Sequence, residues 1–93
     1  MAIQSRGEFE IIMNGVLMRV IQRVSDEPRN TTLVSAKRRL EEALEWVHQR
    51  RKPSEKELAV FADAAETLRQ AWREDTGLSD KLFDLLDFLE YRL

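Results

Sequence analysis

The chain has 93 residues, a net charge of −2 with 34% of positions charged, no cysteine and a single histidine. A chain of this length makes one domain, and its composition excludes disulfides, thiol chemistry and a Cys/His metal finger. The near-balanced charge gives no general attraction to nucleic acid, and no run approaches the roughly 20 apolar residues of a membrane span.

The N-terminus lacks the basic-then-apolar layout of a signal peptide, so a cytoplasmic location is expected. Only three glycines and two prolines interrupt a sequence rich in Ala, Leu, Glu and Arg, the residues that lose least on entering a helix. Pro28, Pro53 and Gly77 punctuate it, which predicts helices over about 7–25, 32–51, 54–75 and 79–92. Short connections favour an all-α fold over residues 1–93, a compact antiparallel four-helix bundle that is either complete or finished by oligomerisation. A three-helix core with one helix given to a partner subunit is the alternative.

On the first predicted helix Phe9, Met13, Val16, Leu17, Val20 and Val24 recur at core spacing. Ile11 and Met18 fall on the opposite side with Gly15 between them. A glycine inside a helix costs about 1 kcal/mol relative to alanine, and it lets a neighbouring helix approach closely. Two outcomes are open: the helix is central and buried on two sides in its own monomer, or Ile11, Gly15 and Met18 meet a second copy, as a self-association face, or another protein.

The second helix carries Leu33, Ala36, Leu40, Ala43, Leu44 and Val47 inward. Trp46 lies at the edge of that stripe, with Arg39 seven residues before it and Arg50 four after. Together with Arg38, Arg51 and Lys52 these residues could stack a base and hold phosphates, although basic residues at a helix C-terminus also simply complement its dipole. Glu45 and His48 have the Glu-x-x-His spacing of di-iron bundles, but the second such pair is missing and no metal site is expected. Glu42, Glu45, Asp63 and Glu66 offer carboxylates of the kind that hold Mg²⁺ in all-α nucleotide hydrolases, and a solvated surface explains them equally well.

The third helix has the clearest start signal, a capping box of Ser54 and Glu57 behind Pro53, with Leu58, Phe61, Ala65, Leu68 and Trp72 following. Val60, Ala64, Thr67 and Ala71 make a second stripe of small side chains, suited to internal packing against another helix. The fourth helix is expected to start at Ser79 and to bury Leu82, Leu85, Leu86, Leu89 and Leu93. Phe88 and Tyr91 fall off that stripe near Asp84, which predicts a partner-binding face. The acidic stripe Asp80, Asp84 and Asp87 could oppose the basic end of the second helix or an outside basic partner.

One histidine and no cysteine assemble no nucleophile–base pair, and the glycines are too dispersed to cradle a phosphate. Neither catalysis nor a cofactor is expected. The surplus apolar faces predict a non-enzymatic protein–protein interaction module: a small helical adaptor, subunit or inhibitor of a larger protein, of the kind phages encode, that self-associates with a dimer favoured. Nucleic-acid binding through the second helix and Mg-dependent nucleotide hydrolysis are the alternatives.

Overall fold

Each of four helices opens on a side chain that accepts a hydrogen bond from an otherwise unpaired amide of its first turn. In the computed structural model, which describes residues 3–93, Ser5 accepts from the Glu8 N–H at 3.2 Å, Asn30 from Leu33 at 3.2 Å, Ser54 from Glu57 at 3.1 Å and Asp75 from Leu78 at 2.9 Å. The helices that follow are α1 (Arg6–Asp26), α2 (Thr31–His48), α3 (Glu55–Ala71) and α4 (Thr76–Tyr91). The predicted capping box is complete, since the Glu57 carboxylate also accepts the Ser54 N–H at 2.9 Å.

Three boundaries differ from the sequence expectation. Gly77 closes nothing: it lies inside the first turn of α4 with an ordinary negative φ. Asp75 starts that helix, so α4 begins ahead of Ser79, and α3 stops at Ala71. At the end of α2 the left-handed residue is Arg50, with φ 56°. Its N–H donates to the Val47 carbonyl at 3.1 Å and the Arg51 N–H to Trp46 at 2.9 Å. That pair of bonds is a Schellman closure, here made without the glycine that usually serves it.

The helices form a ring: α1 packs on α2, α2 on α3, α3 on α4 and α4 back on α1, while neither diagonal pair comes into backbone contact. This is the expected four-helix bundle, and all four helices share the core. Phe9, Met13 and Val20 from α1, Leu40 from α2, Phe61 and Leu68 from α3, and Leu82, Leu85 and Leu89 from α4 are sealed from solvent. No polar or charged residue is buried among the described residues, so apolar burial stabilises the interior without the desolvation cost of a buried charged side chain. Among these residues no helix is long and apolar enough to cross a membrane.

Candidate interaction surface

The ring leaves α1 one side to spare. Its inner side is filled by Phe9, Met13, Val16, Leu17 and Val20, while Ile11 and Met18 on the other side are 74% and 71% exposed and Ile21 is 46% exposed. The expectation that α1 is buried on two sides within its own monomer is therefore overturned, because α1 has only two neighbours in the ring and both lie toward the core. Gly15 stands between Ile11 and Met18 and is itself exposed. A methyl group added there would meet nothing within 4 Å. The structure thus brings Ile11, Gly15 and Met18 together on one solvent-facing strip.

Charged residues fence the strip and are fastened to the bundle. On one flank the Glu10 carboxylate lies 2.8 Å from His48 Nε2 of α2. On the other, Arg19 reaches Asp75 at 2.5 Å and Arg23 lies over the Trp72 ring at 5.2 Å while pairing with Glu27. Asp75 is held below the usual carboxylate range first by the Leu78 N–H it caps and then by Arg19, and Glu27 is lowered chiefly by its bond from Arg23.

The predicted docking face on α4 does not exist in the form expected. Phe88 is 2% exposed and its ring packs on Phe9, so it is core. The helix must satisfy both α3 and α1, which widens its buried arc beyond the leucine stripe and leaves Leu86 only half-buried. Tyr91 is 73% exposed as expected, and Asp84 is half-buried. Besides Tyr91, α4 also presents Phe83, 52% exposed, which sequence reasoning missed. The Arg69 guanidinium covers it at 4.4 Å and donates to Ser79 at 2.8 Å. The acidic stripe of α4 does not oppose the basic end of α2, because those helices are diagonal in the ring; Asp87 lies 3.8 Å from Arg92 instead.

At the basic end of α2 the tryptophan turns inward while the cations stay at the surface. Trp46 is 7% exposed, not at an open edge, and the cation over it is Arg51, at 5.6 Å, rather than Arg39 or Arg50. Arg51 also forms two parallel bonds to Glu57 at 2.9 and 2.8 Å, which hold Glu57 far down, to about 2, with help from the Ser54 N–H. Arg39 is paired with Glu42 at 3.0 Å. Arg38, Arg50 and Lys52 are exposed, whereas Trp46 shows only an edge, in a small groove with Arg39, Lys56 and Val60.

The carboxylates considered for Mg²⁺ do not converge. Glu42 is taken by Arg39, Glu66 by Arg69 and Gln70, and Glu45 by Gln49. Asp63 lines an open groove of about 540 Å³ between α2 and α3 together with Val60, Ala64 and Thr67, three of the four small-stripe residues. No group of three or more acidic, His or Cys side chains among the described residues could hold a metal ion. No protein-family model, curated protein or solved structure matches the chain.

Proposed function

We propose that this chain is a non-enzymatic protein–protein interaction module that self-associates through the outer face of α1 and acts as a small adaptor, subunit or inhibitor of a larger protein. The observation that carries this reading is the exposure of Ile11, Met18 and Ile21 on one uncharged helix face in a chain whose core is already complete. Each such side chain gains about 1.5–3 kcal/mol when fully covered, and large apolar residues aligned along a helix face, unlike scattered ones, mark a contact surface. Tyr91 offers an exposed aromatic of the kind that carries binding energy when a larger partner covers it. A cytoplasmic site of action is part of this proposal.

Sedimentation equilibrium at micromolar concentration tests it. The expected mass is twice that of one chain, and Met18→Glu should return it to one chain without changing the helical content, because the new charge would be desolvated only in the complex. A wild-type mass of one chain removes the reading.

A further inference from the structure

We infer that two copies of this chain pack α1 against α1 antiparallel, about a two-fold axis passing beside Gly15, with Ile11 of each copy over Met18 of the other. This rests on the reading of α1 as a self-association face and adds its occupant, direction and register.

The outer strip of α1 runs through Ile11, Asn14, Gly15, Met18, Ile21 and Gln22, all exposed and none charged. That spacing keeps the six side chains within an arc of about 120° down one side of the helix. Gly15 is the position that asks for an external explanation. It sits mid-helix with helical φ, where glycine weakens the helix relative to alanine. A Cβ there would meet no atom of this chain, so nothing inside the monomer requires its absence. A second helix crossing closely at that point does.

Self-complementarity selects a second copy as that helix. At an interface with two-fold symmetry, if one residue meets another then the second also meets the first. Ile11 lies three residues before Asn14 and Met18 three residues after Gly15, so reversing α1 about the point between Asn14 and Gly15 exchanges the two large apolar side chains. Charge fixes the direction. Glu8 and Arg19 lie on the same flank of the strip, about 60° and 80° from Ile11 at about 100° per residue. In an antiparallel pair, like flanks face each other and Glu8 of one copy comes beside Arg19 of the other, twice. The Arg19 guanidinium meets Asp75 but carries five N–H donors in all. In a parallel pair opposite flanks would meet, bringing Glu8 against Glu10 at nearly the same level.

The native chain has no cysteine, so Ile11→Cys and Met18→Cys each introduce a lone thiol on an exposed site, and mild oxidation of the purified full-length variants reports the register. Positions 11 and 18 face each other between copies in the inferred pair, whereas position 11 stands about 10 Å along the axis from its own counterpart, beyond the roughly 7 Å Cα separation a disulfide spans. The expected result is rapid cross-linking when the two variants are mixed and little for either alone. Self-cross-linking of Ile11→Cys at least as fast as the mixture, in a chain whose mass is that of a dimer, overturns the antiparallel register while leaving self-association standing. A dimer mass with no cross-link in any combination overturns α1 as the seam. A wild-type mass of one chain takes the proposed function and this inference together.

Discussion

The rings of Phe9 and Phe88 meet with centroids 5.1 Å apart and planes inclined at 35°, joining the first turn of α1 to the last turn of α4. Such tilted pairs add to the stabilisation from area burial alone. Phe88→Ala should therefore destabilise the chain by about 3–5 kcal/mol, whereas Tyr91→Ala, three residues on and exposed, should stay within about 0.5 kcal/mol. Urea melts of the two variants check the contrast, and equal midpoints would mean that Phe88 is not core.

Gly15→Ala should act in opposite directions on the two levels of structure. In the separated chain it should stabilise α1 by up to about 1 kcal/mol, because the added methyl meets nothing and alanine is the better helix former. In the associated form it should weaken the contact. Thermal melting at low concentration and sedimentation at high concentration read the two effects separately; tighter association of the alanine variant would contradict a close crossing at this residue.

Arg50 occupies the left-handed conformation for which a side chain costs roughly 1–2 kcal/mol. Arg50→Gly removes that cost and adds back some unfolded-state entropy, so a net gain of about 0.5–1 kcal/mol is expected. The Schellman bonds to Val47 and Trp46 should survive. A loss of stability on denaturant unfolding would show that the Arg50 side chain contributes a contact of its own.

Glu57 titrates at about 2 in the folded chain against an ordinary 4.5, chiefly because Arg51 donates to it and then because the Ser54 N–H does. A folded-state pKa below the unfolded one stabilises the fold above about pH 4.5 and loses that contribution as pH falls toward 2. Glu57→Gln keeps an acceptor for Ser54 but drops the ion pair. The stability difference between wild type and Glu57→Gln should thus be largest near neutrality and shrink across pH 4.5 to 2. A difference that stays constant down to pH 2 would rule out this linkage.

Much of the fold was legible because it depends on local chemistry. Ser54 with Glu57 announces its helix, and Pro28 and Pro53 fall in the turns they imply. Gly77 misled because a glycine after a long helical stretch has the composition of a closing residue, while Asp75 two positions earlier competes as a cap, and only the Asp75–Leu78 bond decides between them. Phe88 was misplaced for a different reason. A stripe drawn through the leucines assumes one facing surface, whereas α4 lies between α3 and α1 and buries a wider arc. Ile11, Gly15 and Met18 lie opposite a strong core stripe, which was legible, but whether that side is covered within the monomer depended on how many neighbours α1 has, and the ring gives it two. Phe83 lies about 100° from the centre of the leucine stripe, nearly as far off it as Phe88 on the other side, so the stripe alone did not tell the exposed ring from the buried one.

The ring order has a kinetic consequence. Three of its four seams join helices consecutive in sequence, so most of the structure assembles from local contacts and the chain belongs among the fast-folding topologies. The seam between α1 and α4 is different, since it brings the two ends of the chain together at the highest loop-closure cost. Closure is expected last on that account, and interactions made after the transition state govern how fast the protein unfolds rather than how fast it folds. The Phe9–Phe88 contact should then act as a latch on the native lifetime: its loss is expected to shorten the time the bundle stays closed while leaving the rate of first assembly nearly unchanged.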